Sequence, residues 1–92
     1  AVCLMKVEFL KKFSRDLDSV NSKNVKQSLI RVIELLESAQ TLEEIPNLKK
    51  LKGHKSAYRI RIGEYRLGLF FESSRVLLAR FLHRKDIYKI FP

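Results

Sequence analysis

An α+β fold is predicted for this chain: a small, antiparallel-rich, twisted sheet of about four strands packed on an N-terminal αα-hairpin. The expected order is β-α-α-β-β-β with a short C-terminal segment. Three observations carry this. Apolar residues recur at helical spacing through the first half, and apolar and cationic residues alternate from Tyr58 to Ile62 as in a strand with one buried face. The dipeptides Gly63-Glu64 and Ser73-Ser74 then divide the second half into hairpins. Ninety-two residues form one domain, 1–92, with a single core.

Residues 3 to 9 have strand composition, with Lys6 and Glu8 alternating against Val7 and Phe9. Leu10, Phe13, Leu17 and Val20 follow at spacings of four, three and three, one stripe of a short helix. Asn21 or Ser22 is placed to cap a second helix, whose buried side is Val25, Leu29, Val32, Ile33 and Leu36 and which runs to about Ser38. So short a connection makes the two helices antiparallel neighbours. These stripes are read as core packing. Thr41 to Ile45 adds a helical turn that Pro46 stops. Asn47 to Lys55 reads as a loop or irregular edge. After Ile62 come strands from Arg66 to Phe71 and from Val76 to His83, and the residues from Arg84 to Pro92 close the chain as a polar turn, an aromatic and a short apolar tail.

Nineteen Lys and Arg against ten Asp and Glu give a net charge of +9 and a pI near 10.0. So basic a small domain points to a polyanionic partner, since clustered cations gain affinity by releasing counterions from phosphates. No apolar run approaches the roughly 20 residues of a spanning helix, and Ala1 to Met5 is too short for the apolar region of a signal peptide. A cytoplasmic protein without a membrane partner is expected. Cys3 is the only cysteine, and with two distant histidines it makes no metal-ligand spacing, so neither metal nor other cofactor is expected.

The hairpin carries the most chemistry. Gly63 as the first loop residue suits a type II′ turn, which pairs Ile62 with Tyr65, Arg61 with Arg66, Ile60 with Leu67 and Arg59 with Gly68. All three arginines then share one face. Arg61 and Arg66 become direct neighbours, roughly 5 Å apart at Cβ, and like charges so placed oppose folding. Either an anionic ligand or an acidic side chain from elsewhere offsets them. With Ser73-Ser74 as a two-residue turn, Phe71 faces Val76, Gly68 faces Ala79 and Arg66 faces Phe81. His83 then falls on the arginine side, beyond Tyr65, with Gly68 and Ala79 as the floor of a shallow concavity. The same register turns Arg80 toward the core, where either it reaches an acidic residue at a helix end or the register breaks.

Ahead of the hairpin, Lys49, Lys50, Lys52, His54 and Lys55 form a cationic approach, whose lysines read equally as binding surface or as solvated chain and whose histidine reads more readily as plain surface. Arginine presents a fork to phosphate oxygens but is a poor base at neutral pH. His83 and Tyr88 are the groups able to move protons. His83 reads equally as a backbone hydrogen-bonding partner, and Tyr88 as a core aromatic. The residues alone support a nuclease and a basic RNA-binding module equally. No Ser/His/Asp order, P-loop, paired carboxylates or dinucleotide glycines are present.

The order of a strand, an αα-hairpin and a cationic approach leads into Tyr58-Arg59-Ile60-Arg61-Ile62-Gly63-Glu64-Tyr65-Arg66-Leu67-Gly68, a strand, and Leu82-His83-Arg84-Lys85-Asp86-Ile87-Tyr88. This resembles the RelE/ParE-superfamily toxins of type II toxin–antitoxin systems, on the RelE branch, over nearly the whole chain. The resemblance implies a RelE-like microbial-ribonuclease-type fold and an endoribonuclease, an mRNA interferase that enters the ribosomal A site and cuts translated mRNA. Such enzymes use no metal and leave a 2′,3′-cyclic phosphate. Carried over by position, Arg59 and Arg61 are the basic residues of the strand, and Arg66 is the arginine that holds the scissile phosphate. Arg84 is the C-terminal arginine, Tyr88 the tyrosine that stacks on a base or assists proton transfer, and His83 an acid or base of some branches. Lys85 extends the RNA-binding set. Two departures stand out. Arg59 and Arg61 replace frequent lysines, which leaves the general base unassigned, and Arg84 to Tyr88 is a shorter spacing than in some relatives. ParE-like toxins bind DNA gyrase without the nuclease constellation, and the joint presence of Arg61, Arg66, His83 and Tyr88 argues against that branch. Membership further implies mRNA and the ribosome as partners, and a cognate antitoxin whose acidic or amphipathic segment covers the cationic face.

Overall fold

A computed structural model of the chain describes residues 5–92. Strand β1 (Lys6–Phe9) leads into helices α1 (Lys11–Asp18) and α2 (Lys23–Ser38), and strands β2 (Leu48–Lys50), β3 (Ala57–Ile62), β4 (Tyr65–Glu72) and β5 (Arg75–His83) follow, ending in helix α3 (Arg84–Ile90). The sheet order is β1-β5-β4-β3-β2, with β1 parallel to β5 and every other pair antiparallel. The α+β architecture is the one expected. No helix among the described residues is long and apolar enough to cross a membrane.

Three of the elements differ from the sequence reading. The first strand begins at Lys6, and residues 3 and 4 of the expected strand lie outside the described residues. The approach from Asn47 contains a fifth, three-residue strand, β2, paired to β3 at Leu48–Ile60, Lys49–Arg59 and Lys50–Tyr58. The C-terminal segment is a helix rather than a turn and tail, because Ile87 and Phe91, four apart, are both buried against the sheet.

The two faces of the sheet are covered unequally. On one face α1 and α2 bury Phe13, Leu29 and Leu36 against Ile60, Leu67, Leu69, Leu78 and Phe81. Ser22 caps α2, its hydroxyl accepting from Val25 N at 3.3 Å. Leu42–Glu44 forms a 3-10 turn closed by Glu44, whose carboxylate accepts from the amides of Gln40 and Thr41 at 2.8 and 2.9 Å. On the opposite face a smaller cluster of Leu51, Ala57, Ala79, Ile87 and Phe91 seats α3.

Both hairpin turns form where expected. Gly63 has φ of +59° and Glu64 is not in the positive-φ region, as a type II′ turn requires, and the β3–β4 register is the one expected from Ile62–Tyr65 through Arg59–Gly68. At the second turn Ser73 and Ser74 hold φ of 49° and 63°, a type I′ pattern that Asn-Gly fills with less strain than serine. Replacing Ser73→Asn and Ser74→Gly together is expected to raise stability by about 1 kcal/mol, read as a higher urea midpoint at constant m.

The β4–β5 register departs from expectation after Leu69. Phe71 faces Val76 as expected, but a bulge opposite Gly68 and Leu69 leaves Ala79 as an extra residue. Arg66 therefore faces Leu82 rather than Phe81, Gly68 faces Arg80 rather than Ala79, and Tyr65 faces His83. A one-residue shift exchanges faces. Phe81 enters the main core opposite Leu67, Leu82 joins the cluster under α3, and His83 moves to the helix side of the sheet, away from the arginines. The bulge also takes Arg80 off the core-facing position opposite Leu67. Its guanidinium meets Asp16, in the last turn of α1, through two hydrogen bonds of 2.8 and 3.1 Å. The same carboxylate accepts from Phe81 N at 3.0 Å, satisfying β5 where β1 no longer runs beside it. Hydrogen bonding to Asp16 raises the Arg80 pKa above its ordinary value.

With side-chain exposures of only 10% for Asp16 and 19% for Arg80, the pair follows the rules of buried ions more than those of surface pairs. Asp16→Ala is expected to cost about 2 kcal/mol by stranding Arg80 and the Phe81 amide. Asp16→Asn, which keeps an acceptor, loses less. Equilibrium denaturation of both variants checks the order.

Candidate functional site

The hairpin arginines project from the face that α3 only partly covers. Because β3 pairs with both β2 and β4, Lys49, Arg59, Arg61 and Arg66 come from three adjacent strands. They line one open cavity of about 330 Å³ together with Asn47, Leu48 and Tyr88. The expected neighbours Arg61 and Arg66 are cross-strand partners, as are Lys49 and Arg59. Two like-charged pairs thus sit side by side.

No carboxylate neutralises them. The ion pairs among the described residues are Glu8–Arg75, Asp16–Arg80 and Glu64–Arg84, none of which uses a cavity cation. Neutral groups orient the arginines instead. Arg66 Nη1 donates to the carbonyls of Gly63 and Tyr65, both at 2.9 Å, and Arg61 Nη2 donates to Asn47 Oδ1 at 3.4 Å. The Arg59 guanidinium lies 4.6 Å from the centroid of the Tyr88 ring. A carbonyl or an aromatic face fixes direction while leaving the positive charge uncompensated, a geometry that suits an anion.

Asn47 was not singled out by sequence. It holds φ of 64°, a conformation asparagine tolerates, and its carbonyl accepts from Arg61 N at 3.2 Å while its side chain accepts from the guanidinium. The local signal for it is an asparagine, which tolerates positive φ, directly after the helix-stopping Pro46. The floor expected from Gly68 is occupied: an added Cβ would lie 2.8 Å from the Phe91 ring, so that glycine is the seat of the C-terminal aromatic rather than open space.

No family model matches the chain. The toxin RelE3 of Methanocaldococcus jannaschii is 37% identical over 89 residues, 96% of this chain and all of the relative. The chain belongs to the RelE toxin family. The fold agrees with that membership. A RelB–RelE antitoxin–toxin complex from Methanococcus jannaschii matches at a TM-score of 0.79 and 34% identity, over 91% of this chain and 98% of that one. A RelE–RelB complex from Pyrococcus horikoshii has a TM-score of 0.70 at 21% identity, covering 89% and 97%, and shares the fold.

Of the positions that the RelE resemblance singled out, Arg59, Arg61, Arg66 and Tyr88 converge on the cavity. Lys49 joins them. Arg84 does not: its side chain pairs with Glu64 at 3.0 Å and its amide donates to the Glu64 carbonyl at 2.8 Å, tying α3 to the β3–β4 turn. His83 is also elsewhere. Its ring meets Tyr65 edge-on at 5.8 Å between centroids, and its Nδ1 accepts from Lys85 N at 3.2 Å. Lys50 stands opposite Tyr58 beside a different hollow, and Lys52, His54 and Lys55 belong to the loop between β2 and β3. Lys85 is exposed in the first turn of α3.

Proposed function

We propose that this RelE-family toxin is an endoribonuclease that cuts mRNA in the ribosomal A site and is held inactive by a cognate antitoxin. The observation that carries the reading is the cavity in which Arg59, Arg61, Arg66 and Lys49 keep their charges unpaired beside Tyr88. In the reaction the 2′-oxygen attacks the adjacent phosphorus while the bond from phosphorus to the 5′-oxygen breaks. The products are a 2′,3′-cyclic phosphate and a 5′-hydroxyl. Negative charge gathers on the non-bridging oxygens, where guanidinium forks already oriented by Asn47 and the turn carbonyls stabilise it with little reorganisation.

Two protons must move, one from the 2′-hydroxyl and one to the leaving oxygen. Arginine holds its proton too tightly for the first task. Lys49 and Tyr88 are the cavity side chains able to exchange a proton in that role, and the exposed Tyr88 ring also offers a stacking surface for a base. Arg84, neutralised by Glu64, serves in this reading to hold α3. Lys50, Lys52, His54, Lys55 and Lys85 supply sequence-independent attraction to RNA.

A net charge of +9 with four uncompensated cations in one cavity suits an acidic antitoxin segment that competes with RNA for the same surface. The test is incubation with programmed ribosomes and mapping of mRNA ends. Cleavage within the A-site codon, leaving a cyclic phosphate, is expected. Intact mRNA accompanied by inhibition of gyrase supercoiling would overturn the proposal.

A further inference from the structure

We infer that His83 is a positioning residue: its imidazole caps α3 and thereby holds Tyr88 over Arg59 at the rim of the cationic cavity. The inference rests on the nuclease reading for its consequence, but its geometry is independent of it. Helix α3 has seven residues, too few to hold itself by its own hydrogen bonds. Ile87 and Phe91 seat one side of it, and the Arg84 amide and side chain tie its start to Glu64. A second orphan amide at its start, that of Lys85, donates to His83 Nδ1. Five residues past the cap, Tyr88 is more than half exposed, and its one aromatic or cation–π contact among the described residues is with Arg59. Its position therefore depends on how firmly the helix is held.

Accepting that hydrogen bond fixes the tautomer. Nδ1 carries the lone pair, Nε2 carries the proton, and the ring is neutral. Protonation at Nδ1 removes the acceptor and with it the cap. The charged and titratable groups around the ring are Asp16 from α1, Tyr65 from β4, and Asp86 with the Glu64-paired Arg84 and Lys85 from α3. The Asp16 carboxylate is engaged by Arg80 and the Phe81 amide.

Asparagine is a better cap than histidine and cannot act as acid or base, whereas alanine is neither. On programmed ribosomes, His83→Asn should cut within about threefold of wild type, while His83→Ala falls by about tenfold. Equal losses of a hundredfold or more in both variants would make His83 a proton-transfer group and overturn the inference. Amide hydrogen exchange of residues 85–89 gives a readout that needs no cleavage. Exchange should quicken about fivefold in His83→Ala and stay at the wild-type rate in His83→Asn. Unchanged exchange in His83→Ala would overturn the cap. If wild-type protein fails to cut mRNA, the nuclease reading falls while the exchange measurement still decides the helix cap.

Discussion

An Arg61→Ala, Arg66→Ala double variant is expected to cut ribosome-bound mRNA at least about a thousandfold more slowly than wild type, since each preorganised donor at a developing anion is worth about 10²–10³ in rate. The two losses will not multiply cleanly, because both guanidinium groups serve one phosphate. What distinguishes this variant from a merely damaged protein is its stability. The two side chains face each other across the hairpin with no carboxylate between them, so their removal relieves repulsion. A melting temperature equal to wild type, or higher by the equivalent of about 0.5 kcal/mol, should accompany the loss of cleavage. An inactive variant that melts much lower would mean that the arginines hold the fold. A stable variant that still cuts at the wild-type rate would remove them from the site.

The second large effect lies at Gly68. Its position opposite Arg59, in the middle of the sheet, would suit a β-branched residue by propensity alone. Packing decides otherwise. Three atoms of the Phe91 ring lie 2.8 to 2.9 Å from where a Cβ would stand, and that ring in turn packs on Phe70 at 5.2 Å. Gly68→Val must expel Phe91 and with it the end of α3, at a cost of about 3 kcal/mol, the upper part of the range for overpacking. For a domain of this size that lowers the melting temperature by about 15 °C. Cleavage should fall as well, because Tyr88 belongs to the unseated helix. Combining Gly68→Val with Phe91→Ala restores part of the stability, since the new side chain occupies the space the ring leaves, and a coupling above about 1 kcal/mol is expected between neighbours of this kind. An unchanged melting temperature in the single variant would show that the ring is not held where the structure has it.

Much of this was legible in the sequence, for physical reasons that also explain the failures. The stripes Phe13 to Val20 and Leu29 to Leu36 are local and periodic, so the two helices could be read directly. The β3–β4 register follows from Gly63, whose positive φ only a few turns tolerate, and once the turn is known every pair to Ala57–Phe70 is fixed. The meeting of Arg59, Arg61 and Arg66 was therefore predictable from a nine-residue stretch. The register of β5 was not. Its bulge accompanies an ion pair between Arg80 and Asp16, 64 positions apart, and the one local hint of it is Arg80 itself, a cation that the unbulged register turns toward the core. That one extra residue moved His83 across the sheet. Strand β2 escaped notice because it has one apolar residue in three and exists through its pairing with β3. Helix α3 has a single turn of apolar spacing, too short to stand out.

The position of the scissile phosphate decides whether the arginine cavity is the site of cleavage. A ribosome carrying mRNA with a 2′-deoxynucleotide at the cleavage point cannot be cut there, and its complex with the toxin can be imaged intact. That phosphate is expected between the guanidinium groups of Arg61 and Arg66, within hydrogen-bond distance of both, with Lys49 and Tyr88 beside it and His83 across the sheet from the RNA. A phosphate bound on the helix side, against His83 and Tyr65, would contradict it.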